Sequence, residues 1–215
     1  MTSIDDLGFV HRFDRSEGAD TTLLVLHGTG GDEDDLIPLA RSIAPNAHLL
    51  SPRGKVLENG APRFFRRLAM GVFDVDDLIA RTHELADFVQ SAAGAYEIDA
   101  TRVFALGYSN GANIAAGLLL LRPELLGGAM LLKAMPPLDP EYLPDLSDIP
   151  VFVAGGRSDQ MITPAATHDL IELLSSCGAE VTAHWEPGGH EITPEDVAAA
   201  SSWFADKRPG GSPDG

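Results

Sequence analysis

Three side chains of the types used in nucleophilic catalysis occur in this chain in the order serine, aspartate, histidine. Ser109 lies within the glycine-flanked pentapeptide G-Y-S-N-G at residues 107–111, and Asp159 and His190 follow it. A serine hydroxyl is a weak nucleophile until a base removes its proton, and a histidine base needs a carboxylate to hold its tautomer. The three residues therefore predict an activated serine nucleophile.

The residues around Ser109 predict a strand, a tight turn and a helix. Residues 103–106 form a short apolar run, and residues 112–121 are rich in Ala and Leu. A serine at such a turn is presented above the end of a sheet, and flanking glycines are needed because the backbone is strained and closely packed there. By composition alone, on the order of one chain in ten of this length would contain the pattern G-x-S-x-G. Its flanking elements therefore carry the prediction.

Asp159 and His190 each follow a predicted strand. Residues 150–154 form an apolar run and residues 181–185 read V-T-A-H-W, and both predict a strand. Each leads into a glycine-containing loop that carries one of the two side chains. Open α/β sheets keep their functional sites at the carboxyl ends of the strands. We therefore expect both side chains to lie at the same sheet edge as Ser109.

A glycine-rich turn upstream can supply donors for an oxyanion. The predicted strand at residues 23–26 ends in H-G-T-G-G at residues 27–31. An oxyanion needs donors that are oriented before charge develops, and we assign the backbone N–H groups of Thr29 and Asn110. A phosphate-binding loop is disfavoured, because no Gly-Lys-Ser/Thr follows and Glu33 replaces the third glycine of a dinucleotide-binding loop.

The acidic residues 32–35 raise the question of a calcium site. Acidic side chains are common in the first turn of a helix, where they interact favourably with the helix dipole. We therefore predict that residues 32–35 begin a helix and bind no metal ion.

Several segments resemble the phospholipase/carboxylesterase family of α/β-hydrolases. The resemblance extends from about residue 9 to residue 204 and is carried by H-G-T-G-G-D-E-D-D-L at 27–36, G-Y-S-N-G-A-N at 107–113, Asp159 and the pair 189–190. R-F-F-R-R-L at 63–68 is similar to a bacterial and archaeal carboxylesterase branch, some members of which are described beside hydroquinone and quinone detoxification. The resemblance implies an α/β-hydrolase fold and serine carboxylesterase activity through Ser109, His190 and Asp159.

Two positions depart from a neighbouring branch of that family. Acyl-protein thioesterases usually have Leu where Thr29 stands and Gln where Asn110 stands. These departures favour a carboxylesterase, with a thioesterase or lysophospholipase as the alternative. Without a cap domain the site should be a shallow cleft, so we expect small, short-acyl esters as substrates. A weakly active ligand-sensing α/β-hydrolase is a further alternative, which a complete triad argues against.

The alternation of apolar runs predicts an α/β fold, namely a mostly parallel twisted sheet with helices on both faces. Strands are expected near 9–13, 23–26, 47–50, 103–106, 129–132, 150–154 and 181–185, and helices near 34–44, 74–93, 110–121, 163–176 and 193–206. Residues 133–149 are too few for the cap domain that many hydrolases of this fold insert there. We predict one domain over residues 1–206 and a disordered tail over 207–215.

Two long connections are expected to wall the substrate pocket. Residues 51–73 form one and residues 133–149 the other, and long loops without structure of their own tend to be functional. Packing of their aromatic side chains onto the core is an equally fair interpretation. The predicted pocket residues are Phe64, Phe65, Met70, Phe73, Met135 and Met161.

Charge excludes one class of partner. The chain has 32 acidic and 15 basic residues and a net charge of −17, whereas nucleic-acid binding requires a basic face. We therefore predict that the protein does not bind nucleic acid.

Residues 1–6 lack the features of a signal peptide, and no apolar run is long enough to span a bilayer. We predict a cytoplasmic protein with no membrane association and a small-molecule ester as its partner, and a homodimer is left open.

The remaining histidines and the cysteine predict neither a cofactor nor a metal site. Cys177 is alone, which excludes an internal disulfide, and it is expected to pack in the core. The other histidines show no pair with a metal-binding spacing and no third ligand, and His27 is expected to orient the glycine-rich turn.

Overall fold

The computed structural model describes residues 7–208, and a sheet of seven strands lies at its centre. Residues 209–215 of the predicted tail lie outside the described residues. The strands are β1 (His11–Asp14), β2 (Thr22–Leu26), β3 (His48–Pro52), β4 (Val56–Glu58), β5 (Ala61–Arg63), β6 (Arg67–Ala69), β7 (Val72–Phe73), β8 (Val103–Tyr108), β9 (Gly128–Leu132), β10 (Pro150–Gly156) and β11 (Glu180–Glu186). The helices are α1 (Ile37–Ile43), α2 (Val75–Tyr96), α3 (Asn110–Leu121), α4 (Pro164–Ser176) and α5 (Pro194–Lys207), with a single 3₁₀ turn at Ala100–Arg102.

The central sheet is mostly parallel, as the alternating pattern predicts. Its strand order is β1-β3-β2-β8-β9-β10-β11, and only β1 pairs with its neighbour in the antiparallel sense. The carboxyl ends of β2, β8, β10 and β11 therefore meet at one edge. This edge carries the glycine-rich turn and the three candidate catalytic residues.

Helices cover both faces of the sheet, and the alternation within each strand shows why. Leu24 and Leu26 of β2 pack into the core layer formed with α2, α3 and α4, whereas Leu23 and Val25 pack into the layer formed with α1 and α5. Successive side chains of a strand point to opposite faces. A strand that is buried on both faces needs apolar residues along its whole length, and every residue of β2 after Thr22 is apolar. The predicted α/β-hydrolase fold is confirmed.

The predicted ends of the central strands and the helices differ from the observed ends by at most three residues, and the difference at the start of α1 has a clear cause. Helix α1 begins at Ile37 rather than Asp34, so residues 32–35 form a turn outside it. Asp32 Oδ1 accepts from the Asp34 N–H at 2.9 Å, and the Glu33 and Asp34 carboxylates pair with arginines elsewhere in the chain. The prediction of acidic residues within the first turn of the helix was wrong.

The connection from residue 51 to residue 73 is more ordered than expected. It contains two antiparallel hairpins, β4–β5 and β6–β7, that lie outside the central sheet. Asn59 and Gly60 form the first turn with φ angles of 52° and 84°, and Gly71 in the second turn has φ 72°. Asn-Gly between short strands is a strong hairpin signal. The signal was present in the sequence, and the assignment of a loop without structure of its own was wrong.

No helix within residues 7–208 combines the length and the apolar composition that a membrane span requires.

The start of α3 packs against the end of β2 so closely that only glycine fits. A Cβ on Gly111 would lie 2.1 Å from the Leu26 carbonyl oxygen, which is backbone and cannot rotate away. The second glycine of the pentapeptide is therefore required by packing between a helix and a strand.

We expect Gly111→Ala to lower the free energy of unfolding by roughly 1–3 kcal/mol or more, because the methyl group must displace backbone. Gly94→Ala is the matched control, since Gly94 lies in α2 and a Cβ added there would meet open space, and it should raise stability by roughly 0.5–1 kcal/mol. Urea unfolding followed by circular dichroism measures both. Equal stabilities of the two variants would contradict this account.

Candidate active site

Ser109 occupies a strained turn between β8 and α3. Its φ of 53° and ψ of −114° lie in a region that side-chain-bearing residues rarely adopt. Its N–H donates to Leu132 O at 2.9 Å, and a Cβ on Gly107 would lie 2.6 Å from the Ala112 Cα. The neighbouring strand and helix thus hold the turn, as the sequence predicts.

His190 contacts both Ser109 and Asp159. Its Nε2 lies 2.9 Å from Ser109 Oγ, and its Nδ1 lies 2.7 Å from Asp159 Oδ2. An ionised carboxylate can only accept, so Nδ1 carries the proton and Nε2 is free to accept from the serine hydroxyl. This tautomer is the one that a general base for Ser109 requires.

Asp159 is held in a fixed orientation. Its side chain is buried, and its second oxygen, Oδ1, accepts from the N–H groups of Met161 and Ile162 at 2.8 and 2.9 Å. Both carboxylate oxygens are thus bonded, one to the loop and one to His190. The loop fixes the carboxylate, and the carboxylate fixes the imidazole.

The loops that carry Asp159 and His190 form one unit. Ser158 donates from its N–H to Gly188 O at 3.0 Å and from its hydroxyl to Pro187 O at 2.9 Å. A Cβ on Gly156 would lie 2.1 Å from Gly189 O, so the two backbones pass in direct contact. The carboxylate and the imidazole are therefore positioned relative to each other by backbone, before either side chain contributes.

Tyr108 also positions His190, and it was not among the residues predicted from the sequence. Its hydroxyl donates to the His190 carbonyl oxygen at 2.9 Å, and the two ring centroids are 5.4 Å apart. Burial raises the pKa of Tyr108, and the nearby Asp159 charge raises it further, so the hydroxyl stays a donor. The only sequence signal was its place next to Ser109.

A buried ion pair lies where α5 begins, just after His190. Lys133 Nζ donates to Asp196 Oδ2 at 2.8 Å, and both side chains are fully buried. Asp196 also forms a reciprocal cap with Thr193 at the start of α5. Because the Lys133 N–H donates to Ala154 O, the pair ties the end of the histidine loop to β9 and β10.

The predicted oxyanion donors lie on the two expected turns. Gly30 donates to Pro62 O at 2.9 Å and Gly31 donates to Gly28 O at 3.2 Å. Among residues 7–208, the N–H groups of Thr29 and Asn110 donate to no protein acceptor. Two unpaired donors on the turns that border Ser109 suit an oxyanion site.

Two asparagines of α3 fasten the pocket walls, and these roles were missed from the sequence. Asn110 Oδ1 accepts from the Phe64 N–H at 2.8 Å, and Asn113 Oδ1 accepts from the Met135 N–H at 3.0 Å. Both side chains are buried. The helix that follows Ser109 thereby holds both connections, residues 51–73 and 133–149, that carry pocket residues.

A cavity of about 210 Å³ opens beside Ser109 and His190. Four of the predicted wall residues line it, namely Met70, Phe73, Met135 and Met161. Phe64 and Phe65 do not line it, which corrects the prediction. Their side chains are buried in the core. Phe65 packs edge-on against Phe73 with the ring centroids 5.0 Å apart, and Phe64 packs against His27 with the centroids 4.7 Å apart. Lining residues that were not predicted from the sequence include Arg63, Arg67, Tyr108, Asn113 and Ile162.

No group of three or more His, Cys, Asp or Glu side chains in the described part of the chain is placed to hold a metal ion. Cys177 is buried, and burial raises the pKa of its thiol.

A family model described as Phospholipase/Carboxylesterase matches residues 14–206. The chain belongs to this family. The Putative hydrolase MhqD of Bacillus subtilis (strain 168) is 47% identical over 186 residues, which cover 86% of this chain and 93% of that protein. The Bacillus cereus carboxylesterase is 45% identical with a TM-score of 0.92, covering 94% of this chain and 96% of its own. A carboxylesterase from Mesorhizobium loti is 38% identical with a TM-score of 0.83, covering 87% of this chain and 89% of its own.

These comparisons confirm the family resemblance and the fold that the sequence predicts. They also show an enzyme of the carboxylic ester hydrolase class.

His27 links the glycine-rich turn to the connection that walls the pocket. Its Nε2 accepts from the Gly54 N–H at 2.9 Å, and its Nδ1 lies 2.6 Å from Gly28 O. The pair of contacts requires a neutral ring with the proton on Nδ1. Burial lowers the pKa of His27, which keeps the ring neutral.

We expect His27 to make the folded state sensitive to acid. Its folded-state pKa lies below the unfolded value, so the unfolded chain binds the proton first and stability falls as pH drops below about 6.5. The loss approaches about 1.4 kcal/mol per pH unit for one such group. His27→Gln should show a smaller fall than the wild type in urea unfolding between about pH 7.5 and about pH 5. The control, His83→Gln, replaces an exposed histidine and should keep the wild-type slope. Identical slopes in all three proteins would contradict this role.

Proposed function

We propose that this esterase hydrolyses small carboxylic esters through Ser109, His190 and Asp159. The observation that carries the proposal is the continuous pair of hydrogen bonds from Ser109 Oγ through the imidazole to the buried Asp159 carboxylate. These hydrogen bonds hold each partner in the orientation that nucleophilic acyl transfer requires.

In the first half of the reaction, Ser109 Oγ attacks the ester carbonyl while His190 Nε2 takes the hydroxyl proton. The carbonyl oxygen becomes an oxyanion and accepts hydrogen bonds from the N–H groups of Thr29 and Asn110. The tetrahedral intermediate then collapses, and His190 returns the proton to the leaving alcohol. An acyl-serine remains on the enzyme.

In the second half, water replaces the alcohol. His190 takes a proton from the water, the resulting hydroxide attacks the acyl carbon, and the same two N–H groups hold the second oxyanion. The collapse releases the carboxylic acid and restores the serine hydroxyl. Throughout, Asp159 stabilises the imidazolium form without being protonated itself.

Substitution of the triad tests the proposal directly. Ser109→Ala and His190→Ala should each lower kcat on an aryl acetate by several orders of magnitude, and the double variant should be little worse, because the residues act as a unit. Asp159→Asn should also lower kcat strongly. Wild-type protein should bind one fluorophosphonate per chain by mass measurement, with Ser109→Ala unlabelled. If Ser109→Ala retained more than a few per cent of wild-type turnover, the assignment would be wrong.

The cavity supports a short acyl group. Its apolar wall consists of Met70, Phe73, Met135, Met161 and Ile162, and a cavity of about 210 Å³ accommodates few carbons beyond the reacting ester. Each methylene that the wall buries contributes about 0.8 kcal/mol, and further methylenes that remain in water contribute nothing to transition-state binding.

We therefore expect kcat/KM to peak between acetyl and about hexanoyl in a series of aryl esters and to fall for longer chains. Steady-state kinetics across the series, with every concentration kept below micelle formation, measures the profile. A rise that continued through decanoyl and palmitoyl esters would instead indicate the thioesterase or lysophospholipase activity of the same machinery.

A further inference from the structure

Two guanidinium groups face the cavity that contains Ser109. Arg63 and Arg67 both line it, whereas none of the described residues that line it is Asp or Glu. The chain as a whole carries a net charge of −17, so this wall is opposite in sign to the protein. Burying charge is unfavourable unless something compensates it.

The protein supplies only part of that compensation. Glu58 is the carboxylate that pairs with both groups, with its Oε2 at 3.2 Å from Arg63 Nη1 and its Oε1 at 2.9 Å from Arg67 Nε. One negative charge therefore faces two positive charges. Burial lowers the pKa of Arg63 and the nearby Arg67 charge lowers it further, yet a guanidinium stays protonated at neutral pH.

The two arginines differ in their burial and in the strength of the acceptors that the protein offers them. Arg63 is buried and donates from Nε to Phe65 O at 3.1 Å and from Nη1 to Thr29 Oγ1 at 2.6 Å. Its position is thus fixed beside an oxyanion donor. Apart from its Nε bond to Glu58, Arg67 donates only to Met70 Sδ at 3.4 Å among the described residues, and a thioether is a weak acceptor. The Arg67 side chain is 23% exposed against 3% for Arg63, so the Nη groups of Arg67 are the part of the pair that a ligand can reach.

We propose that the preferred substrates are small esters that carry a carboxylate in addition to the ester group. The carboxylate would accept charge-assisted hydrogen bonds from Arg67, with Arg63 holding the adjoining loop and adding to the positive field. The small cavity restricts this class to half-esters of short dicarboxylic acids and acyl esters of small hydroxy acids. The inference rests on the proposed esterase function and specifies its substrate class.

The test compares two pairs of esters that differ in charge but closely match in shape. Monoethyl glutarate against ethyl glutaramate places the carboxylate on the acid side, and 4-acetoxybenzoate against 4-acetoxybenzamide places it on the alcohol side. Since a hydrogen bond to a charged group is worth more than a neutral one, the anionic member of at least one pair should have a kcat/KM roughly 10- to 100-fold higher.

The variant Arg67→Gln should reduce that ratio by roughly tenfold or more. Using the ratio within one protein removes any general loss of activity or of folded enzyme. Arg66→Gln is the matched control, because Arg66 belongs to the same basic segment but is 61% exposed, pairs with Asp74 and Asp77, and does not line the cavity. It should leave the ratio at the wild-type value.

Binding to Ser109→Ala, followed by calorimetry, provides a readout independent of turnover. Monoethyl glutarate should bind more tightly than ethyl glutaramate if the acid-side pair shows the preference, and adding Arg67→Gln should remove the difference. If the alcohol-side pair shows the preference instead, 4-acetoxybenzoate should bind Ser109→Ala more tightly than 4-acetoxybenzamide, and Arg67→Gln should again remove the difference.

The outcomes separate this inference from the function beneath it. Suppose that the wild-type enzyme hydrolyses the neutral esters and that the ratio of kcat/KM, anionic over neutral, is near or below one for both pairs. This result overturns the carboxylate preference and leaves the esterase assignment unchanged. If the Arg67→Gln variant keeps the preference for the anionic ester, then other residues cause that preference. This result also overturns the role proposed for the two arginines. Failure to hydrolyse any of the four esters, together with no fluorophosphonate labelling, overturns the proposed function and this inference with it.

Discussion

The site depends on one constraint, which is that three loops from different strands must meet within hydrogen-bond distance. Ser109 follows β8, Asp159 follows β10 and His190 follows β11, and the parallel sheet delivers all three loops to one edge. Hydrogen bonds at 2.7 and 2.9 Å tolerate little displacement of any loop. The rest of the architecture can be understood as what keeps these loops in place.

Glycines and backbone contacts fix the loops at close range. Where α3 approaches β2, and where β10 approaches the histidine loop, a Cβ would lie 2.1 Å from a carbonyl oxygen. Such contacts are rigid because backbone cannot move aside without disturbing the strand that it continues. Tyr108 and the Lys133–Asp196 pair add side-chain anchors to the segment around His190. The strain at Ser109 is therefore balanced by packing on several sides.

The central fold could be predicted well from the sequence because its signals are local and repetitive. A run such as residues 23–26, apolar at every position, is typical of a strand buried on both faces, and the glycine-flanked serine fixes the turn that follows β8. The order of Ser109, Asp159 and His190 came from the residues themselves, and the family resemblance supplied the class of enzyme.

The pocket could not be predicted in the same way. Whether an aromatic residue faces the core or the cavity depends on long-range contacts, so Phe64 and Phe73 were given the same role although only Phe73 lines the cavity. Arg63 was noted only within the R-F-F-R-R-L segment at 63–68, because its place at the cavity depends on a bond to Thr29, which is 34 residues away in the sequence. The Asn-Gly turn at 59–60 was the one local signal for the hairpins that was overlooked.

The placement of the two hairpins has a consequence for how selectivity can diverge among relatives. Neither β4–β5 nor β6–β7 contributes a strand to the central sheet, yet together they present Arg63, Arg67 and Phe73 to the cavity. A substitution at Arg67 or Phe73 changes no strand of the seven-stranded sheet and no hydrogen bond of Ser109, Asp159 or His190. A lineage could therefore acquire a new ester preference by changing this one connection, while the loops that carry Ser109, Asp159 and His190 keep their sequence.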